Sequence, residues 1–274
     1  MILAYRHAVA MLAIFGAAST LGVDVAAQSA PSSESAPRTE WGTPQLGGWW
    51  IEGDSSADGT ATNTPVLLAR DGDLANFEQD FAVLERRDDN LPLYKPEYWD
   101  EIRHNDFYGL TEDPVFNCRP SGLPRMGPPA KIVHTEDELI FLYPGSAHEA
   151  FRIIPVDGRE FDPLQMADWT SAGHSIGHWE GDTLVIESVG FSDESWLGWA
   201  GWTHSAEMTV VERVWREGNE LHWQATVHDP VMLQAPWTME EQVQYLNTEE
   251  HVWVFPALPC EEKDAENMVE RTRG

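Results

Sequence analysis

The chain has 274 residues, with 17 Lys+Arg against 46 Asp+Glu and a formal net charge of −29. That balance excludes nucleic acid as a partner, because Lys and Arg neutralising phosphate supply most of such affinity, and it disfavours docking on anionic lipid. Hydrophobic residues at 42% and aromatics at 11% are too many for a disordered chain and predict a packed core.

The first 27 residues carry Arg6, an apolar stretch from Ala8 to Val23 and the small residues Val25-Ala26-Ala27 before Gln28. A charged start, a short apolar run and a small-residue site are the parts of a secretory signal cleaved after Ala27. Asp24 interrupts the run, which is short for a bilayer span, so no membrane insertion is expected after its removal. The mature protein is expected to be periplasmic or secreted. Residues 28–45 are rich in Ser, Pro and Ala and read as a flexible leader. Residues 46–260 form one β-rich domain, and 261–274 a charged tail.

Cys118 and Cys260 are the only cysteines. An oxidising compartment lets them pair, closing a long loop and contributing up to about 4–5 kcal/mol in the chain-entropy model, with a reactive thiol as the lesser alternative.

Within the domain, Leu74, Phe77, Phe81 and Leu84 at helical spacing predict an amphipathic helix over 73–88. Pro96 to Ile102 predicts a short second helix with Pro in its first turn. Pro and Gly punctuation over 105–130 predicts an ordered, irregular crossing. From Lys131 the pattern changes to strands. One turn unit recurs at Glu136-Asp137-Glu138-Leu139, Gly181-Asp182-Thr183-Leu184 and Gly218-Asn219-Glu220-Leu221, each between β-branched and aromatic runs. Such turns predict hairpins. With further strands at 149–155, 238–246 and 250–255, eight or nine strands are expected. The fold class is mainly β, an antiparallel meander closing into a barrel with one or two N-terminal helices flanking it.

The hairpin around Gly181-Asp182 pairs His178 with Val185, Ile176 with Glu187 and His174 with Val189, so both histidines and Glu187 share one face. Ser175, Gly177 and Trp179 share the other with Leu184, Ile186 and Ser188. The hairpin around Gly218-Asn219 pairs Glu212 with Ala225, Val210 with Val227 and Val214 with Trp223. Glu212 thus sits among apolar side chains, where a lone carboxylate is costly. It requires a partner, a raised pKa or a polar cavity, and the partner reading is a buried salt bridge with Arg152 or Arg213. The His-Glu-His group reads either as a catalytic face turned into the hollow or as a solvated polar patch.

The candidate catalytic residues are His174, His178, Glu187 and Glu212, with Arg152, His222, Trp179 and Trp223 as substrate-binding groups. His148-Glu149 and His204-Ser205 are isolated pairs of low specificity. Among the 13 Trp, some offer stacking surfaces and most fill the core or the barrel mouth. No cofactor is implied: no P-loop, dinucleotide fingerprint, GxSxG nucleophile elbow or zinc or calcium motif is read. A divalent metal on His174, His178 and Glu187 is the lesser alternative.

The series Gly122-Leu123-Pro124-Arg125-Met126, Asp157-Gly158-Arg159, HSIGHWEGDTLVIESVGF (174–191), VVERVWREGNELHWQATVHDP (210–230) and Pro236-Trp237 resembles a large exported bacterial family of unassigned function that carries a GxSxGxWEGDTLVV block, a VVERF strand and a late cysteine. The resemblance covers most of the mature chain and implies export. Gly47-Gly48-Trp49 at the first strand resembles the Gly-x-Trp opening of lipocalin-like barrels.

These readings converge on an exported, cofactor-independent enzyme. Its Glu/His acid–base chemistry, as lyase, hydratase, isomerase or hydrolase, acts on a small, largely apolar molecule held in a barrel cavity. The rival is a non-catalytic small-ligand carrier of the periplasm. A Trp-rich glycan-cleaving protein, the third reading, needs two carboxylates across a groove.

Overall fold

The computed structural model describes residues 35–52, 91–107, 112–143, 151–198 and 201–248. The segments 1–27 and 261–274, the helix expected over 73–88, the strand at 250–255, His148-Glu149 and Cys260 lie outside the described residues.

Among the described residues ten strands form one sheet: β1 (Gly48–Glu52), β2 (Lys131–His134), β3 (Glu138–Leu142), β4 (Phe151–Pro155), β5 (His174–Glu180), β6 (Thr183–Val189), β7 (Thr209–Glu217), β8 (Glu220–His228), β9 (Trp237–Thr238) and β10 (Gln242–Asn247). Their order is β4-β3-β2-β1-β10-β8-β7-β6-β5, with β9 also on β8. Because β9 pairs with Thr226 and Val227 and β10 with Glu220 to Trp223, the two are segments of one broken strand, leaving nine strand positions.

All three expected hairpins form. His134 pairs with Leu139, Glu180 with Thr183 and Glu217 with Glu220. The two-residue Gly181-Asp182 and Gly218-Asn219 loops match the twist of their strands, and the register is the one read from the sequence.

The sheet curls until its outer strands, β4 and β5, meet in a nearly closed antiparallel barrel. Among the described residues no ladder joins these two. Side chains bridge the seam instead: Arg152 Nη2 donates to Ser175 Oγ at 2.9 Å. Gly177 allows the approach, since a Cβ there would lie 3.1 Å from both Ile154 Cγ2 and Val156 Cγ1.

Alternation along the strands fills the interior. Leu184, Val214 and Trp223 pair across β6, β7 and β8, as do Ile186, Glu212 and Ala225, and all six are buried. Burying a large apolar side chain of this kind is worth roughly 1.5–3 kcal/mol.

Both barrel ends are stopped. At the end carrying the β5–β6 and β7–β8 turns lie residues 35–46, the described part of which falls mostly in the segment read as a flexible leader. Ser35 bridges to Glu217, Arg38 Nη2 donates to both oxygens of Asp182 at 2.7 and 2.8 Å, and Arg216 Nη1 donates to the Gln45 carbonyl. Leu46 is fully buried. Composition alone did not show these long-range partners.

The opposite end is covered by the connections at 91–107, 112–126, 191–198, 201–208 and 229–236. They contribute the buried Tyr94, Leu123, Phe191, Leu197, Trp202 and Met208. The second expected helix is present, as a 3-10 turn (Pro96–Tyr98) leading into α1 (Trp99–Phe107), whose Ile102 is fully buried. It is the single α-helical element of more than one turn among the described residues.

Candidate functional site

The shared face of His174, His178 and Glu187 is present, but it turns outward, which corrects the expectation that the three point into the hollow. His178 and Glu187 are exposed. His178 Nε2 lies 3.5 Å from Glu180 Oε1, a carboxylate that also receives Arg213 Nη1 at 3.0 Å. Arg213, and then His178, hold the Glu180 carboxyl below its usual range. His174 Nε2 donates to the Asp168 carbonyl at 2.6 Å.

The cause lies one strand further on. In the β6–β7 ladder Ile186 pairs with Glu212 and Glu187 with Val211, so Glu187 and Glu212 must take opposite faces. The face of Val210, Glu212, Val214, Trp223, Ala225 and Val227 is the more apolar, so it goes inside and sends Glu187 out. Nor do His174, His178 and Glu187 gather for a metal: among the described residues no group of three or more His, Cys, Asp or Glu is so placed.

Glu212 has the partner its surroundings required, and it is Arg152. The guanidinium meets the carboxylate with two bonds, Nη1 to Oε1 at 3.0 Å and Nη2 to Oε2 at 2.6 Å, and Trp223 Nε1 donates to Oε1 at 2.9 Å. Both side chains are at most 4% exposed. The fork also reaches Tyr143 OH, Ser175 Oγ and Ser188 Oγ, and the two serines share a 2.8 Å bond. Burial pulls the Arg152 pKa down, but Glu212 and Tyr143 more than offset it and hold the guanidinium charged.

Residues from the end of β3 through β8 thus converge on one ion pair. Both Glu212 oxygens are occupied, so this carboxylate is a poor base as it stands. The letters Gly173-His174-Ser175-Ile176-Gly177 spell G-x-S-x-G, but Ser175 sits in an extended strand with its hydroxyl engaged by Ser188 and Arg152.

The remaining expected binding groups are dispersed. Trp223 is in the core beside Glu212. Trp179 packs at the end closed by residues 35–46, stacked on His134 with centroids 5.8 Å apart. There, burial lowers the His134 pKa to about 4. His222 lies on the outer side of β8, stacked on Trp215 with centroids 5.0 Å apart and its Nδ1 against Glu241.

A second buried network joins the connections at the other end, and sequence reasoning missed its principal member, Ser195. Ser195 Oγ lies 2.9 Å from His204 Nε2, and His204 Nδ1 lies 3.0 Å from the Ser205 carbonyl. A carbonyl only accepts, so Nδ1 carries the proton and Nε2 offers its lone pair to the Ser195 hydroxyl. Burial lowers the His204 pKa, against smaller opposing effects of Ser205, Asp229 and Asp193, and favours the neutral ring. Phe191 packs edge-on against that ring with centroids 6.2 Å apart.

Asp229 fixes the base of the network. Its carboxylate accepts from Ser205 N at 2.7 Å, Ser205 Oγ at 2.8 Å, Val231 N at 3.0 Å and Met232 N at 2.9 Å. The last two are the local turn contacts expected of an Asp-Pro corner. The reach to Ser205 spans 24 positions and has no sequence signal. Ser195 is covered by the 122–127 turn: Gly122, at φ +71°, lies so close that a Cβ there would be 2.4 Å from Ser195 Oγ. Ser195 and His204 are 1% and 3% exposed.

Comparison of the chain with protein-family models, with curated proteins and with solved structures returned no match.

Proposed function

We propose that the protein is an exported, cofactor-independent hydrolase of small, largely apolar esters, with Ser195 as nucleophile and His204 as general base. The observation that carries this reading is the ordered chain of contacts from Ser195 Oγ through both ring nitrogens of His204 to the Ser205 carbonyl, with Asp229 holding Ser205 in place. It supplies the nucleophile, the base and the group that orients the base.

In the first half-reaction His204 Nε2 takes the hydroxyl proton as Ser195 Oγ bonds to the acyl carbon. The bond to the leaving oxygen then breaks, and that oxygen departs as an alcohol with the proton returned from His204. In the second, His204 deprotonates water, which adds to the acyl-serine, releasing the acid and restoring the serine hydroxyl. A neutral imidazole is the form this role needs, and burial of His204 favours it. Reaction also requires the Gly122 turn to lift from Ser195. Export and a Cys118–Cys260 bridge belong to the same proposal, supported by the signal-like first 27 residues and by a Cys118 that is not a free thiol.

The test is labelling of the intact protein with a fluorophosphonate, followed by peptide mass spectrometry. The expected result is phosphonylation at Ser195, with hydrolysis of a short p-nitrophenyl ester reduced at least about a hundredfold in Ser195→Ala and in His204→Gln. An unlabelled Ser195 with ester turnover unchanged in both variants would overturn the assignment of Ser195 and His204, and no turnover in the wild-type protein would leave the rival, a non-catalytic exported barrel.

A further inference from the structure

The connection between β4 and β5 presents three apolar side chains to water on one short stretch. Leu164 is 83% exposed, Trp169 61% and Met166 37%. Surface leucines are common singly, but three large apolar groups within six residues are a patch.

The stretch is tied down at several points. Leu164 N donates to Asp162 Oδ1 at 2.9 Å, Met166 N to the Asp162 carbonyl at 3.0 Å and Asp168 N to the Gln165 carbonyl at 2.9 Å, around a 3-10 turn at Gln165–Ala167. Its far end is tied to the barrel by His174 Nε2 to the Asp168 carbonyl and by a bridge between Thr170 and Phe191. These bonds fix the backbone while the apolar side chains extend outward. On strand β4 the side chains of Phe151 and Ile153 are also exposed, by 58% and 48%.

We infer that this tip is a peripheral docking element for a zwitterionic lipid surface, with Leu164 and Met166 entering the acyl boundary and Trp169 lying at headgroup level. Three observations select that partner. A side chain as exposed as Leu164 projects from the body, and a projection suits insertion into a fluid layer better than apposition to another convex protein. Trp combines an apolar body with a polar N–H, the amphipathic form that favours the interface. The charged residues between Phe161 and Gly173 are Asp162 and Asp168, with no Lys or Arg. A headgroup that presents a cation, such as phosphocholine, is therefore accommodated, whereas an anionic surface or a second copy of this −29 chain is repelled. Contact is with one face of the layer: among the described residues no helix is long and apolar enough to cross a membrane. The inference does not depend on the role of Ser195.

The experiment is co-flotation of the full-length protein with phosphatidylcholine vesicles, repeated with Leu164→Glu/Trp169→Glu and with vesicles containing phosphatidylglycerol. Expected are binding of the wild-type protein to phosphatidylcholine, a partition coefficient lowered about tenfold or more in the double variant at unchanged Tm, and weaker binding as phosphatidylglycerol is added. Three results would each overturn the inference: no flotation of the wild-type protein, stronger binding to the anionic vesicles, or a concentration-dependent dimer abolished by the double variant. Because no step uses Ser195, failure here leaves the hydrolase proposal standing, and the reverse also holds.

Discussion

The barrel interior and the loop-covered end each bury a polar network, and the two differ in the kind of contact at their centre, an ion pair in one and a hydroxyl–imidazole pair in the other. In the interior, ladders fix the Cα positions of Ser175, Ser188, Glu212 and Trp223, and the Arg152 fork meets the Glu212 carboxylate on both oxygens. At the loop end, Ser195, His204 and Asp229 come from irregular segments, and an imidazole lone pair faces a hydroxyl. A buried acid is a conspicuous feature in a sequence, yet burial says little about chemistry when both carboxylate oxygens are held by an ion pair. The Ser–His pair retains a proton that can move.

That difference is tested most strongly by breaking the ion pair. Glu212→Gln or Arg152→Met leaves one buried group without its charged partner and is expected to cost about 3–5 kcal/mol of unfolding free energy, measured by denaturant titration. Arg152→Met/Glu212→Leu, which removes both charges, is expected to cost clearly less than the two single losses combined. A strictly additive double variant would show that the pair is not a coupled unit.

The loop network should respond less in stability and more in turnover. Asp229→Asn introduces an NH2 where the carboxylate accepts four N–H and O–H groups, and it is expected to cost about 1–3 kcal/mol. If Asp229 positions His204 through Ser205, ester hydrolysis falls more steeply than the folded fraction does. A loss of rate that tracks unfolding alone would make Asp229 purely structural.

The difference between the networks also explains what was legible in the sequence. Hairpin register was legible because two-residue turns between alternating runs leave one pairing, and the ladders at His178–Val185 and Glu212–Ala225 follow it. The ion pair was half legible: Glu212 among valines demands a cation, and Arg152 was one of the two offered. Which face of β5 and β6 turns inward was not legible from one hairpin, because Val185 and Leu184 are both apolar and sit on opposite faces. The third strand, β7, decides it. Ser195 was not legible at all, since its partner His204 is brought to it by loop packing, which has no period. The docking of residues 35–46 rests on distant partners such as Asp182 and Arg216, which composition does not reveal.

A smaller effect arises at the opposite, stopped end of the barrel. His134 is neutral in the fold, with its pKa lowered by burial to about 4, against about 6.5 when unfolded. Between those values the unfolded chain binds the proton and the folded chain does not, so the stabilisation present above pH 6.5 is lost as pH falls toward 4. Because the ring is only partly buried, the loss is expected to be about 1–2 kcal/mol, below the full value of the shift. His134→Phe keeps a ring beside Trp179 and should flatten that part of the stability profile. His204, lowered in the same direction, should leave a residual slope. An unchanged profile in His134→Phe would mean that its environment is wetter than the packing implies.

The smallest effects are expected on the outer face of β5 and β6, and they bear directly on where chemistry is placed. His178 and Glu187 project into solvent, and exposed substitutions away from special backbone positions usually change stability by less than about 0.5 kcal/mol. His178→Ala and Glu187→Gln are therefore expected to lie within that range and to leave ester hydrolysis unaltered. The ion pair from Arg213 to Glu180 is exposed too and should add little. Should either variant abolish turnover while Ser195→Ala does not, the reacting groups belong on this outward face, and the loop network would be a fastening that holds the 191–208 connection over the barrel end.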